Sequence, residues 1–203
     1  MAFVDYDNVP NKGIFGSTMV SKKYNHLKIL DRIQEDEVPT SLVLPRICRK
    51  KDIVGADEGL FKKLRNVREL YIPNTFVDVE GNECLNPFIY LNSIEEIYIE
   101  PGNPGYRVVD GCLVEKTPAG DRLRLVFHRD ITSFSVPAGI RIVGPEAFYL
   151  CHSLRELEID NDVRVVEEYA FKNLLSLKKL IVTDQLTYTG EKALRRQQEE
   201  DNE

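Results

Sequence analysis

The chain has 203 residues, 42 % of them hydrophobic and 30 % charged, with a formal net charge of −6, which suits one folded core or one short repeat array with caps. Lys and Arg are spread along it rather than gathered in one block, and this argues against a nucleic-acid partner, which needs a concentrated basic face. No apolar run approaches the ~18 residues of a membrane span, and the start, MAFVDYDNVPNKG, lacks the basic stretch and apolar core of a secretory signal, so the chain as written reads as cytoplasmic.

Residues 1–40 fit no internal repeat. They are expected to form an N-terminal cap with some loose chain, since an open repeat end needs polar cover. Asp5, Asp7, Asn8 and Asn11 could invite calcium. A twelve-residue calcium loop needs Gly at its sixth position and Glu at its twelfth, however, and Pro10 and Gly16 stand there. No metal is expected.

A periodic pattern begins at Leu42-Val43-Leu44. LFKKLRNVRELYIP (60–73) and PFIYLNSIEEIYIE (87–100) then align Phe61, Leu64, Val67, Leu70 and Ile72 with Phe88, Leu91, Ile94, Ile97 and Ile99, at an offset of 27. In the second half, IRIVGPEAFYLCHSLRELEID (140–160) repeats as VRVVEEYAFKNLLSLKKLIVT (163–183) at an offset of 23. Ala147-Phe148 falls on Ala170-Phe171, and Cys151, Leu154, Leu157 and Ile159 fall on Leu174, Leu177, Leu180 and Val182. The L-x-x-L-x-I ending has the period-two alternation of a strand with one face buried. Strands are therefore predicted near 42–44, 70–72, 97–99, 134–136, 157–159 and 180–182. The A-F-x-x-x-x-x-L stretch reads as a short helix or 3-10 turn on the opposite wall. One such unit cannot bury its apolar face alone, so coils stack and Phe61, Phe88, Phe148 and Phe171 fall in one column. A last helix ending near Leu194 would cover the core, followed by a polar tail over 196–203.

The unit V-x-x-I/V-x-x-x-A-F-x-x-x-x-x-L-x-x-L-x-I resembles the BspA-type leucine-rich repeats. A second segment, IEPGNPGYRVVDGCLVEK (99–116), resembles the hairpin insert of that family through Asn103, Pro104, Tyr106, Asp110, Gly111 and Leu113. Strands near 106–109, 112–116 and 122–128 would form it, with Asp-Gly as a favoured tight turn. The resemblance implies an α/β solenoid: a right-handed leucine-rich-repeat coil over 41–195, short parallel strands on one face, short helical or 3-10 segments on the other, and a β-hairpin insert near 103–128. It also implies a secreted or cell-surface adhesion protein whose partner is another protein, of a host or a cell surface. A monomer with no cofactor is expected.

No motif for nucleophilic, metal or phosphate chemistry occurs. Cys151-His152 hints at a nucleophile pair, but Cys151 holds the repeat position of Leu174 and should point inward, so no catalytic residue is expected. Cys48, Cys84, Cys112 and Cys151 lack the short paired spacings of a zinc site; they read as free buried thiols, with two disulfides as the alternative.

The best candidate site is positional. Outward-facing strand residues form one column of Val43, Tyr71, Tyr98, Ser135, Glu158 and Ile181. A second holds Ser41, Glu69, Glu96, Ser133, Glu156 and Lys179, and a third Arg68, Glu95, Thr132, Arg155 and Lys178. Tyrosines beside glutamates suit an interface; a plain solvated sheet face, where Tyr simply favours strands, is the competing reading. Tyr71, Tyr98, Glu69, Glu96 and Glu158 are the expected contacts of a non-enzymatic protein-binding module. The alternative is a structural scaffold or stalk segment without a ligand site.

Overall fold

The computed structural model describes residues 4–10, 12–19, 24–80, 85–159 and 162–193. It divides into two compact units, Met1–Tyr106 and Arg107–Glu203.

In the first unit, β1 (Phe15–Met19) and β2 (Tyr24–Ile29) form an antiparallel hairpin. The next strands are β3 (Ser41–Val43), β4 (Ile47–Cys48), β5 (Lys51–Asp57), β6 (Glu69–Ile72), β7 (Asp78–Glu80) and β8 (Glu96–Ile99). One sheet has the order β1-β2-β5-β4, with β7 also paired to β5; the other is β3-β6-β8, parallel throughout. Period-two alternation explains the second sheet. Leu42, Leu70, Ile72 and Ile97 point in and are buried, while Ser41, Glu69 and Tyr71 alternate with them on the outer face. A short helix, α1 (Glu58–Lys62), starts where the Asp57 carboxylate accepts the Leu60 N–H at 3.0 Å. The Asn86 side chain accepts the Phe88 N–H at 3.3 Å and opens a 3-10 turn, Pro87–Tyr90. These two caps set Phe61 against Phe88, edge to face at 5.0 Å, and Tyr106 meets Phe88 at 5.8 Å. The stretch expected to be cap and loose chain thus contributes β1 and β2, with Phe15, Leu27 and Ile29 buried.

The second unit follows the same plan. Its strands are β9 (Tyr106–Val109, starting on the last residue of the first unit), β10 (Cys112–Thr117), β11 (Gly120–Val126), β12 (Ser133–Ser135), β13 (Ile140–Val143), β14 (Glu156–Glu158), β15 (Val165–Val166), β16 (Lys179–Ile181) and β17 (Tyr188–Thr189). β10 and β11 form an antiparallel hairpin, and Asp110-Gly111 turns between β9 and β10 with φ of 47° and 72°. Both left-handed values are what a tight hairpin turn requires. Further on, β12-β14-β16 is a parallel sheet and β11-β13-β15-β17 run parallel within the other. Between the two sheets lies a core holding Phe148, Phe171, Leu154, Leu157, Cys112 and Cys151. Phe148 contacts Phe134 at 5.6 Å and Phe171 at 5.9 Å, so each unit has its own aromatic spine.

The α/β class needs correction: each unit is built as a β-solenoid. Among the described residues, helix is confined to α1 and the 3-10 turns Lys12–Ile14, Glu35–Glu37 and Pro87–Tyr90. The wall expected to be helical is a sheet. In the second unit Ala147-Phe148 and Ala170-Phe171 sit in tight turns, each bracketed by left-handed residues. Glu146 and Leu150 have φ of 53° and 67°, and Tyr169 and Asn173, 23 residues later, have 60° and 63°. A helix of L-residues cannot pass through such positions. The β-branched Ile140, Ile142, Val143, Val165 and Val166 extend as strands instead. The last helix is likewise replaced by β17 and a turn over 191–193. Leu194 and the polar tail lie outside the described residues, as does Cys84.

The second core opens at its final coil. Val136 and Ile159 are each 2 % exposed, and Val182, at the same repeat position, is 44 % exposed. Leu154 and Leu157 are buried, whereas their counterparts Leu177 and Leu180 are half-buried.

Candidate binding face

The outer faces of the two parallel sheets carry the candidate residues. In the first unit the register pairs Ser41 with Glu69 and Glu69 with Glu96, and pairs Val43 with Tyr71 and Tyr71 with Tyr98. The first two expected columns thus run in register over these three strands. Parallel neighbours lie ~4.8 Å apart, which suits ring stacking: Tyr71 and Tyr98 lie 4.5 Å apart between centroids and 15° from parallel. Both rings are half-buried. The Tyr71 hydroxyl donates to Glu69 at 3.5 Å, and the Ser41 hydroxyl donates to the same carboxylate oxygen at 2.8 Å. Burial raises the Tyr71 phenol above its ordinary pKa, and the charge of Glu69 adds to this. At the rim, Arg68 pairs with Glu95 at 3.3 Å, both well exposed; a pair so solvated stabilises little. The face therefore combines a two-ring aromatic plate with two in-register carboxylates beside it.

Glu158, the fifth expected contact, is not brought into that group. It stands on the second unit's own sheet, between Ser135 and Ile181 in register, where it accepts the Ser135 hydroxyl at 3.0 Å. The second column continues there as Ser133, Glu156 and Lys179.

Among the other candidates, Cys151 is buried in the core while His152 faces solvent. Burial pushes the Cys151 thiol up to about 12; Arg129 pulls the other way and burial wins. Cys112 is also raised to about 12, by burial first and then by Asp110. Cys48, Cys112 and Cys151 are all free and buried. A protonated buried thiol is a poor nucleophile, which agrees with reading these as core residues. The Asp5 carboxylate accepts the Asp7 and Asn8 N–H groups, each at 3.0 Å, and Asp7 pairs with Arg46 at 2.8 Å. Arg46 also pairs with Glu100 and lies 5.5 Å over the Tyr6 ring. The acidic start is thus tied into the first unit through Arg46, a contact across 39 residues that no local pattern signals. Among the described residues no three His, Cys, Asp or Glu side chains are grouped to hold a metal.

Residues 126–201 match the family model of the BspA type leucine rich repeat region, in 6 copies. No curated protein matches the chain. Among the solved structures that resemble it are the following three. The pneumococcal vaccine antigen PcpA is 14 % identical over 72 % of this chain and 48 % of its own, with a TM-score of 0.45. A leucine-rich repeat protein from Eubacterium ventriosum is 14 % identical over 73 % of this chain and 42 % of its own, at 0.47. The leucine rich repeat protein of T. pallidum is 13 % identical over 91 % of this chain and 86 % of its own, at 0.49. The chain spans less than half the length of the first two.

Proposed function

We propose that this chain, a BspA-type leucine-rich-repeat protein, is a non-enzymatic binding module that holds a protein partner against the outer face of β3-β6-β8. The observation that carries the reading is the stacked Tyr71–Tyr98 pair beside Glu69 and Glu96. Two rigid rings offer contact area at low entropy cost. The adjacent carboxylates repel each other, and a cation placed between them relieves that repulsion. An arginine side chain meets both demands, since its planar guanidinium stacks on aromatic faces and forks onto carboxylates. The partner segment is therefore arginine-bearing and extended. Glu158 is a separate contact, on the second unit's own sheet.

Isothermal titration with an arginine-rich peptide tests this, with the glutamate-rich counterpart as control. Binding of the basic peptide only, lost at least tenfold in Tyr71→Ala/Tyr98→Ala with the thermal midpoint nearly unchanged, supports the site. Equal binding by that double variant refutes it. The second reading, a structural segment without a ligand site, draws on the uncovered apolar coil around β16; it predicts no response of the tyrosine face to either peptide.

A further inference from the structure

We propose that the arginine taken up by the tyrosine face enters a notch above Val43, its guanidinium flat on the free side of the Tyr71 ring and bonded to Glu69, and that this notch selects arginine over lysine. This rests on the binding function proposed above, and it gives Ser41 and Val43 a part in recognition. Tyr71 and Tyr98 stand on neighbouring strands ~4.8 Å apart and stack with centroids 4.5 Å apart. The stack therefore runs across the strands, and the other side of the Tyr71 ring is turned towards β3. There the in-register neighbour is Val43, half-buried and too short to continue the column of rings. Among the described residues no other aromatic ring and no cation meets Tyr71. The outer column thus steps down from two rings to a valine.

A carboxylate leans into the same step. The Ser41 hydroxyl on β3 donates to Glu69 Oε2 at 2.8 Å, and the Tyr71 hydroxyl donates to the same oxygen at 3.5 Å. The first bond draws the carboxylate towards β3, and the two together occupy Oε2 and leave Oε1 to accept from a ligand. Among the described residues Glu69 meets these two neutral donors and no cation. A guanidinium suits the step, because it is planar, lies flat on a ring face and carries N–H groups in its plane to reach Oε1. An ammonium is a compact, strongly hydrated point charge without that shape. The same unit already holds one guanidinium in this way. Arg46 lies 5.5 Å over the Tyr6 ring and pairs with Asp7, at 2.8 Å, and with Glu100. A tyrosine ring with a carboxylate at its side is thus an arginine seat in this fold, and at Tyr71 the seat is built without an arginine of its own.

Isothermal titration of the full chain with the arginine-rich peptide and a lysine twin of equal charge tests the notch. The parent chain binds the arginine peptide about threefold or more tighter, the size of an exposed cation–π contact. Val43→Tyr enlarges the aromatic plate but fills the step, so a flat plate would bind better and a notch binds worse. Its arginine affinity falls about threefold or more, towards the lysine value. Tyrosine favours strands, so the thermal midpoint of this variant does not drop. Ser41→Ala releases Glu69 and narrows the arginine-to-lysine ratio about twofold, the size of one exposed polar contact; Ser41→Thr, which keeps the hydroxyl, restores it. Equal affinity of the parent for the two peptides, arginine binding unchanged or tightened in Val43→Tyr, or a ratio indifferent to Ser41→Ala would each overturn the notch. Those results leave the tyrosine face itself standing when Tyr71→Ala/Tyr98→Ala still abolishes binding, whereas a parent chain that binds neither peptide overturns both.

Discussion

Asn103 offers the sharpest test of how the first unit is held. Its side chain is 3 % exposed and makes four hydrogen bonds. The amide nitrogen donates to the Pro73 and Phe76 carbonyls at 2.9 and 2.8 Å, and the amide oxygen accepts the Gly105 and Tyr106 N–H groups at 2.8 and 2.7 Å. At about 1 kcal/mol net for each bond, Asn103→Ala should cost about 4 kcal/mol, because four buried backbone groups lose a partner together. Asn103→Asp keeps the two accepted bonds, loses the two donated ones and points a carboxylate at two carbonyls. It should cost about 3 kcal/mol or more at neutral pH. The two variants differ in pH dependence. Burial against carbonyls raises the folded pKa of the new carboxyl above its unfolded value of about 3.9, so its stabilising contribution is present in acid and lost as pH rises through the folded value. Urea unfolding followed by circular dichroism, at pH 7.5 and 4.5 with the parent chain at each pH, reads this out. The aspartate deficit should shrink on acidification and the alanine deficit should not. An alanine cost under about 1 kcal/mol, or an aspartate deficit that grows in acid, refutes the reasoning.

Three further outcomes follow from the second unit. Cys112 and Cys151, both raised to about 12, should resist a thiol reagent at pH 8 until denaturant is added. Since the unfolded thiols ionise near 8.5, their contribution to stability is whole below that pH and fades between it and about 12, visible as a falling urea midpoint. Phe148→Ala should cost about 4 kcal/mol, because Phe148 is 1 % exposed and touches both Phe134 and Phe171; a loss below 2 kcal/mol would deny the aromatic spine. Gly190→Ala should cost about 2 kcal/mol, since its Cβ would stand 2.6 Å from the Glu168 backbone nitrogen, and an unchanged melting temperature would contradict the close approach of those strands.

The parallel strands were readable because Leu70-Tyr71-Ile72 and its relatives alternate cleanly, and a constant offset fixes register as well as identity. The same arithmetic put Tyr71 beside Tyr98 and Glu69 beside Glu96. Their stacking was not readable, since ring orientation depends on rotamers chosen in three dimensions. The second wall was misread because Ala147-Phe148 followed by Cys151 and Leu154 mimics helical spacing. Nothing about Leu150 announces a left-handed backbone, although Asn173 at the equivalent place is a residue that tolerates it. The β1–β2 hairpin escaped because β2 buries Asn25 and His26 beside Leu27, which breaks apolar alternation.

The left-handed brackets around Phe148 and Phe171 also decide where this scaffold accepts extra sequence. From Phe61 to Leu70 and from Phe148 to Leu157 the chain takes the same nine steps, so one added residue there would turn a spine ring outward. From Ile72 to Phe88 it takes sixteen and from Ile159 to Phe171 only twelve. Lengthening that arc outside β7 and β15 costs only about 0.6 kcal/mol per doubling, which makes its loop portions the place to graft an epitope or a fluorescent tag without shifting the register of those strands.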